Sequence, residues 1–581
     1  MTTSAVLQIA VYIGLLLLLA KPLGLFMARV YGDAPVPVLG RVTGPLERLI
    51  YRMGGVKADR EMGWRTYAGA VLVFNLIGLA AVYLLQRIQA WLPLNDGGLG
   101  NVAPHSAFNV AISFASNTNW QNYGGETRMS HLTQMLGLTV QNFVSAATGM
   151  AVLAAMCRGF ARGETDRIGN FWVDLTRTVV HILLPLSIVM ALFGVSQGSV
   201  QTLAGSRTAE LIDPVTVDGQ AVVQQEMVVG PVASQVSIKQ LGTNGGGFYN
   251  VNSAHPFENP TPVSNLIEML AILLIPAALC YTFGRMVMDT RQGRALLAAM
   301  TLIFVPLVFA TNAAEQAGTP LLREAGVQVE ATAMQAGGNM EGKEARFGIA
   351  NSAIWAAATT AASNGSVNSM HDSYTPLGGL VPMWLMQLGE VIYGGVGSGL
   401  YGLLIFAIVA VFVAGLMVGR TPEYLGKKIE PFEMKMAAVA VLVPPAVVLL
   451  ATAATVVTRS GTGAMLASGP HGFSEALYAF SSMGNNNGSA FAGYGADIPL
   501  VNGLGGLAML FARYWVALPA LAIAGSLARK KKLEAGPGTL PTHTPLFVVL
   551  LAAVVLIVGA LTFLPALALG PLAEHLAMIG S

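Results

Sequence analysis

Long apolar segments alternate with shorter polar loops along almost the whole chain. A helix needs about 20 mostly apolar residues to cross the hydrocarbon core of a bilayer. Ten segments approach or exceed this length, at residues 4–28, 66–90, 132–157, 172–196, 264–284, 294–312, 378–419, 434–457, 502–527 and 545–569. The pattern predicts an all-α polytopic membrane protein with ten transmembrane helices.

The seventh segment, 378–419, differs from the others because it is very long and rich in glycine near its middle. Its glycines are Gly389, Gly394, Gly395, Gly397 and Gly399. Because glycine weakens a helix, we expect one broken membrane helix here. Non-helical backbone is tolerated at membrane depth only where it lines a cavity or packs against protein.

Four small polar stretches, rich in Gly and Asn, recur between the apolar segments. They are Ser116–Asn119, Thr243–Gly247, Ser363–Ser366 and Asn486–Ser489. Their centres are separated by 126, 120 and 123 residues. A mainly apolar segment too short to span a membrane precedes each stretch, at 107–115, 232–241, 349–362 and 473–482.

This spacing predicts four copies of one unit: a span, a re-entrant half-helix, a polar return strand (together a pore loop) and a second span. The repeats cover 66–157, 172–284, 294–419 and 434–527, and extra helices at 1–30 and 545–569 flank them. All four repeats have one orientation, which implies a pseudo-fourfold axis along the membrane normal and not an inverted repeat.

Basic residues are concentrated in the loops that follow the odd-numbered spans, ending with the run Arg529–Lys532. The alternate loops are longer yet poor in Lys and Arg. The positive-inside rule therefore places the basic loops in the cytoplasm and both termini outside. We interpret the Arg529–Lys532 run as an anchor at the lipid surface, where anionic lipids could be partners.

The composition agrees with a membrane protein. Of 581 residues, 54% are hydrophobic and 11% are charged, and the charged fraction of soluble domains is about twice as high. The net charge of +2 gives no sign of a nucleic-acid partner. Cys157 and Cys280 lie in apolar segments, so we expect inert thiols and no disulfide.

Four re-entrant strands around one axis would point backbone carbonyls and small side-chain oxygens at a common centre. A dehydrated alkali cation needs such oxygens in place of its hydration shell. Glycines in the stretches let the backbone approach the ion, hydroxyls add oxygens, and amides either add oxygens or brace the strands. No carboxylate occurs in the stretches, which argues against a divalent ion, and no histidine spacing indicates another metal site. The candidate residues are Asn117, Thr118, Thr243, Asn244, Gly245, Ser363, Asn364, Gly365, Asn486, Asn487 and Gly488.

Three further residues are candidates for a vestibule or tunnel beside this filter. Gln121 follows the first stretch. Glu390 lies in the broken helix, where a carboxylate either faces water and attracts cations or bonds to unwound backbone. Arg513 is a second charge within a span; pairing with a carboxylate is the default interpretation, and repulsion of cations is the alternative.

Several runs resemble the potassium-binding A-subunit family of the bacterial Kdp potassium-transporting ATPases. These runs are Thr118–Gln121, Gly242–Gly247, Asn252–Pro256, Met383–Met386, Gly389–Glu390, Gly419–Lys428 and Asn485–Phe491, and the similarity extends over essentially the whole chain. The resemblance implies a channel-like potassium subunit in the bacterial plasma membrane, one potassium site among the candidate residues, and passage of the ion to a P-type ATPase, which is the B component of such complexes. Small components C and F are implied as further partners.

Other functions stay open at this point. No phosphorylation run, P-loop or catalytic constellation is found, so no ATP site or enzyme chemistry is expected on this chain. A self-standing potassium channel or an ion-coupled potassium transporter would use the same fourfold architecture without an ATPase. A membrane scaffold is a third possibility, but it has no need of Gly-rich re-entrant strands.

Overall fold

The computed structural model describes residues 2–32, 39–217, 219–332, 335–419, 421–534 and 539–580. Arg420, in one of the runs that carry the resemblance, lies outside these ranges. The helices are α1 (Thr3–Tyr31), α2 (Leu39–Gly54), α3 (Trp64–Ile88), α4 (Pro104–Ala115), α5 (Gly125–Arg128), α6 (Val140–Ala161, after a π-helical turn Thr133–Thr139), α7 (Phe171–Arg177), α8 (Leu184–Gln197, joined to α7 by a π-helical turn), α9 (Val232–Leu241), α10 (Pro262–Met286), α11 (Thr290–Ala317), α12 (Pro320–Glu324), α13 (Gly348–Ala361), α14 (Pro376–Gln387), α15 (Ser398–Val418), α16 (Pro431–Val456), α17 (Arg459–Thr462), α18 (Gly469–Met483), α19 (Pro499–Arg529), α20 (Pro545–Leu567) and α21 (Ala573–Gly580).

Ten helices in the described ranges are long and apolar enough to cross a membrane. They correspond one to one with the ten predicted segments, so the predicted number is confirmed by length and composition. The seventh segment is broken, as expected: α14 ends at Gln387 and α15 begins at Ser398. Between them the backbone has left-handed φ at Gly389, Gly394 and Gly397. At Gly397 a side chain would also collide with the backbone of Gly149 in α6.

The all-α prediction needs one amendment, because two small antiparallel sheets accompany the helices. Strands β1 (Arg207–Val217) and β2 (Gln220–Met227) form an exposed hairpin, and β3 (Glu423–Tyr424) pairs with β4 (Lys427–Lys428). The first hairpin lies in the loop 201–232, where the sequence predicts an external hairpin cap. Neither sheet belongs to a membrane-spanning segment.

The four short helices α4, α9, α13 and α18 lie within the bundle and do not reach across it. At 10 to 15 residues each, they rise by about half to three quarters of the hydrocarbon thickness. Most of their residues are nevertheless buried by the long helices: α4 packs on α3 and α19, α9 on α8 and α10, α13 on α11, and α18 on α16. This packing brings their C-terminal ends together.

Helices α1 and α20 pack on the outside of this arrangement. α1 lies against α10, where Thr282 Oγ1 donates to the carbonyl of Gly24 at 3.0 Å and Tyr12 donates to that of Met269 at 3.0 Å. α20 packs on α11 and α15. Both helices therefore pack against the outside of the bundle, and in the described ranges neither is followed or preceded directly by one of the four short helices.

Candidate functional site

Each of the four short helices ends just before one of the predicted polar stretches. In every case the central residue of the stretch donates its backbone N–H to the carbonyl five residues earlier, in the last turn of the helix. The four bonds are Thr118 to Ser113 (2.9 Å), Asn244 to Lys239 (2.9 Å), Asn364 to Thr359 (3.0 Å) and Asn487 to Ser482 (2.8 Å). The four stretches therefore have one local backbone geometry.

The same register repeats in the backbone dihedral angles. The residue before each centre has left-handed φ, and so has the residue after it. The angles are 68° at Asn117, 46° at Thr243, 53° at Ser363 and 60° at Asn486, then 52° at Asn119, 78° at Gly245, 90° at Gly365 and 111° at Gly488. Glycine adopts such angles without steric cost and Asn tolerates them better than most residues.

The stretches contact one another in cyclic order. A Cβ on Gly245 would overlap the carbonyl oxygen of Asn364 in the third stretch, and one on Gly488 would overlap that of Thr118 in the first. A Cβ on Gly365 would lie 2.5 Å from the carbonyl oxygen of Asn487. We call each polar stretch, together with the short helix before it, a wall of the ring. These three glycines let one wall approach a backbone carbonyl of the next.

A different contact joins the first and second stretches and closes the ring. Asn117 Nδ2 donates to the carbonyl of Thr243 at 2.9 Å. Gln121 donates to the carbonyl of Gly247 and accepts from its N–H, both at 2.9 Å. The side chain of Gln121, a predicted vestibule ligand, is thus bonded to the neighbouring wall.

The carbonyl oxygens of the four central residues form the chemically distinctive feature of the ring. Within the described ranges, no group donates a hydrogen bond to any of the four. All four residues are fully buried: Thr118, Asn244, Asn364 and Asn487. A buried carbonyl without a donor is uncommon and costs free energy, so four in one ring constitute a set of oxygens suited to a cation.

Most of the predicted amide ligands brace the walls. Asn364 Nδ2 donates to the carbonyl of Lys239 at 3.1 Å, and Asn487 Nδ2 donates to that of Thr359 at 2.9 Å. Asn486 Nδ2 donates to Thr118 Oγ1 at 2.9 Å. Each bond joins one wall to the next, so the bracing alternative agrees with the geometry better than direct coordination by these side chains.

Cavities lie on both sides of the ring. The larger one, called the outer cavity here because it opens among the loops poor in Lys and Arg, measures about 920 Å³ and is lined by Gln121, Gly245, Gly365 and Gly488, among others. The inner one measures about 80 Å³ and is lined by Ser363, Asn486, Glu390 and Arg513, among others. The predicted vestibule and tunnel residues therefore fall at the two ends of the ring.

The broken helix forms part of the inner boundary. The N–H of Val396 donates to Thr243 Oγ1 at 2.9 Å, which attaches the break to the ring. Glu390 is only 3% exposed and has left-handed φ. Neither of its carboxylate oxygens makes a hydrogen bond of ordinary geometry with the described residues.

Arg513, in α19, does not follow the default expectation of a carboxylate partner. Its Nη2 donates to the carbonyl of Ser145 in α6 at 3.2 Å, and it forms no ion pair with any carboxylate that the structure describes. Arg513 is 6% exposed and lines the same small cavity as Glu390. It therefore places a positive charge at the inner side of the ring.

Sequence reasoning missed a buried ion pair behind the second wall. Lys239, one of the few basic residues in the loops poor in Lys and Arg, pairs with Glu258, and both side chains are fully buried. Lys239 Nζ also donates to Asn252 Oδ1 at 2.7 Å, and Asn252 Nδ2 donates to the carbonyl of Gly245 at 2.9 Å. One signal was available: a lysine inside a segment predicted to lie at membrane depth.

A second buried pair of the same kind joins α11 to the loop that precedes α13. Lys343 Nζ lies 2.7 Å from Glu315 Oε2, and both side chains are fully buried. Glu315 Oε1 also accepts from the N–H and hydroxyl of Thr375, at 2.8 and 2.7 Å. Burial lowers the pKa of Lys343 from its usual value.

Known proteins resemble this chain along its whole length. The profile of the family described as "Potassium-transporting ATPase A subunit" matches residues 10–576. Proteins named "Potassium-transporting ATPase potassium-binding subunit" are 65% identical in Sorangium cellulosum and 63% identical in Methylococcus capsulatus, with all of both chains covered. The crystal structure of the potassium transporter TrkH from Vibrio parahaemolyticus has the same fold, with a TM-score of 0.50 at 14% identity over 89% of this chain and 97% of that chain. The chain therefore belongs to the family of potassium-transporting ATPase A subunits.

Proposed function

We propose that this chain is the potassium-binding and translocating, channel-like subunit of an ATP-driven potassium uptake complex. It captures extracytoplasmic potassium at the ring and passes it to a P-type ATPase subunit. The observation that carries the proposal is the set of four buried carbonyl oxygens, at Thr118, Asn244, Asn364 and Asn487, that accept no hydrogen bond from the described residues. The family, whose relatives are named as potassium-binding subunits, agrees with it.

The chemistry of the ring favours a monovalent cation. Carbonyl oxygens replace the hydration shell of potassium, whereas Ca²⁺ sites usually include carboxylates. The C-terminal ends of α4, α9, α13 and α18 adjoin the ring, and a helix C-terminus carries about half a negative elementary charge. Potassium is the transported ion; hydrolysis of ATP belongs to another subunit, because no ATP-binding motif is found in the sequence.

The repeats provide the scaffold for this ring. In our proposal, α3–α6, α7–α10, α11–α15 and α16–α19 are four pseudo-repeats of helix, re-entrant pore loop and helix around a pseudo-fourfold axis. They cover the predicted units 66–157, 172–284, 294–419 and 434–527, and α1 and α20 are the extra helices of 1–30 and 545–569. The equal hydrogen bonds at the four helix ends support this assignment.

In our proposal the ion leaves the ring through the inner cavity. Glu390 attracts the cation after it leaves the carbonyls, and Arg513 opposes its escape across the bundle. The break between α14 and α15 is a gate below the ring, since it is bonded to Thr243 and bears Glu390. From there potassium passes to the P-type ATPase, the B component of the complex, and the small components C and F complete the assembly.

The complex lies in the bacterial plasma membrane, with both termini of this chain extracytoplasmic. Contacts among the basic loops support this topology, because they gather at one end of the bundle. Arg162 pairs with Glu61 at 2.8 Å, and Lys427 Nζ donates to the carbonyl of Lys530 at 2.6 Å. The outer cavity of the ring opens among the loops of the other set.

The test is to purify the chain with its co-purifying partners and to measure ATP hydrolysis with potassium or sodium. Potassium should stimulate hydrolysis and sodium should not. Gly245→Ala should raise the half-saturating potassium concentration about tenfold or more, the equivalent of ~1.4 kcal/mol, because the new Cβ displaces the carbonyl of Asn364.

Gly98→Ala is the matched control, since Gly98 has φ of 61° and no neighbour within 4 Å of the added Cβ. Alanine there also takes a left-handed φ but adds no contact with the ring. Potassium transport without any ATPase partner would instead favour a self-standing channel or transporter. An unchanged potassium affinity in Gly245→Ala would remove the second wall from the site.

A further inference from the structure

Helix α2 (Leu39–Gly54), which lies in the loop between the first two spans, has one face bonded to the bundle. Thr43 Oγ1 lies 2.7 Å from His181 Nδ1, and His181 Nε2 lies 2.7 Å from Glu47 Oε2. Arg177 Nε donates to Glu47 Oε1 at 3.1 Å. This network holds α2 against the beginning of the fourth membrane helix.

A second face of α2 is apolar and uncovered. Val42, Leu46, Leu49 and Met53 follow one another at spacings of four, three and four residues, so they form one stripe along the helix. Their exposed fractions are 75%, 39%, 48% and 73%. A contiguous apolar stripe of this kind marks a contact with a partner or a membrane.

A third face of α2 is basic. Arg41, Arg48 and Arg52 are exposed, and none forms an ion pair with the described part of the chain. They lie on the side turned away from Thr43 and Glu47, because helical positions repeat every 3.6 residues. The apolar stripe therefore runs between the anchored face and the basic face.

The depth of α2 relative to the membrane follows from its anchor. His181 lies ten residues after Phe171, where the fourth candidate span begins, which corresponds to about 15 Å along the helix axis. Further along the same span, Ile188 and Val189 are 52% and 68% exposed. The stripe on α2 thus adjoins a lipid-facing surface near the end of a span.

We propose that α2 lies in the cytoplasmic interface of the bilayer, with its apolar stripe among acyl chains and its arginines on anionic phospholipid headgroups. Amphipathic helices with basic polar faces bind membranes in this way, and each arginine is attracted by an anionic leaflet. The proposal rests on the orientation given under Proposed function, and it holds whether or not the ring binds potassium.

The test uses single cysteines labelled with an environment-sensitive fluorophore in the purified complex, reconstituted into vesicles of phosphatidylcholine and phosphatidylglycerol at a ratio of about seven to three. Cys157 and Cys280 are buried, which leaves an introduced cysteine as the reactive one. Val42→Cys and Met53→Cys report on the two ends of the stripe, and Arg48→Cys is the matched control on the basic face. Gel filtration of each variant complex as a single monodisperse peak checks that it is folded, independently of potassium binding.

Labels at Val42→Cys and Met53→Cys should be quenched by lipids with brominated acyl chains and shielded from aqueous iodide. The label at Arg48→Cys should show the reverse. Brominated phosphatidylglycerol should quench the Met53→Cys label about threefold more than brominated phosphatidylcholine, a preference lost when Arg41, Arg48 and Arg52 are replaced by Gln.

Three results would overturn the proposal. Access of iodide to the stripe labels would mean that the stripe faces water. Shielding from both iodide and brominated lipid would mean that a protein segment covers it. Equal quenching by the two phospholipids in the arginine-containing protein would mean that the basic face has no anionic lipid partner.

Discussion

Gly245, Gly365 and Gly488 each satisfy two requirements at once. Their left-handed φ values of 78°, 90° and 111° belong to a region that side chains disfavour. Their missing Cβ atoms also leave room for the carbonyl of the next wall. A substitution at any of them therefore acts on a neighbouring segment as well as on its own.

Lys239 and Glu258 act on the ring from behind. Their buried pair positions Asn252, which in turn bonds the carbonyl of Gly245. Removing one partner of a buried ion pair leaves an uncompensated charge and typically costs ~3–5 kcal/mol, whereas replacing both by apolar residues of similar size is often close to neutral. The pair is therefore open to a double-mutant cycle.

We expect Lys239→Met and Glu258→Leu each to lower the thermal unfolding temperature of the purified complex markedly. The double variant should recover most of that loss, because no buried charge is left alone. The half-saturating potassium concentration should be raised in Lys239→Met and in the double variant alike, since Asn252 has lost its bond from Lys239 in both. Additive losses in the cycle would show that the two side chains do not interact.

For individual residues, the sequence predicted where the polar stretches lie along the chain but not where their side chains point. The Gly and Asn content located all four stretches, because few other residues adopt left-handed φ. Whether Asn364 points at an ion or at Lys239 depends on where a wall about 120 residues earlier lies, which local sequence does not encode. The partner of Lys239 lies beyond an irregular loop, so no helical spacing pointed to Glu258.

Among the elements, α18 and α21 are joined by a histidine bridge. His471 Nε2 lies 3.2 Å from Asp372 Oδ1, and His471 Nδ1 lies 2.9 Å from Glu574 Oε1. Hydrogen bonds to Asp372 and Glu574 raise the pKa of His471 from 6.5 to about 10. The imidazolium form thus ties the C-terminal helix to the fourth short helix.

The bridge predicts a pH-dependent attachment of α21. A raised pKa stabilises the docked state fully below pH 6.5, and this stabilisation is lost as the pH rises towards 10. Over that window the ratio of detached to docked α21 should rise by up to about tenfold per pH unit. A nitroxide on Ile579→Cys, an exposed position, should report this in its mobility spectrum.

Two comparisons make the pH measurement specific. A label at Leu561→Cys, exposed on α20, should show no such change. His471→Gln should leave the Ile579→Cys label mobile at every pH. If the bridge does not hold α21, the mobility of the Ile579→Cys label will depend on pH in the same way with and without His471→Gln.

Elements were predicted well where their pattern is long or repeated. The ten spans and the four short helices follow from apolar length alone, and the break after α14 follows from its glycines. The loop 201–232 was predicted as a hairpin cap, but the bounds of β1 and β2 were not, because the exposed strands lack the half-buried alternation that identifies a sheet. The bridge through His471 joins three distant segments and left no local signal.

For the whole molecule, the two sets of loops predict the orientation. We expect Ile212→Cys, on the β1–β2 hairpin and 98% exposed, to react with a membrane-impermeant maleimide in intact cells. Leu533→Cys, beside the basic run and 42% exposed, should react only after permeabilisation. Labelling in the opposite order would invert the topology and put the outer cavity in the cytoplasm.

Because the four walls belong to a single chain, mutations can change them independently. In a channel built from four identical chains, one codon changes all four walls together. Here each wall has its own codons, and the seam between Gln121 and Gly247 is already built differently from the three glycine seams. In our proposal each wall contributes one carbonyl oxygen to the potassium site, so selection can change the affinity for the ion through one wall at a time, in graded steps.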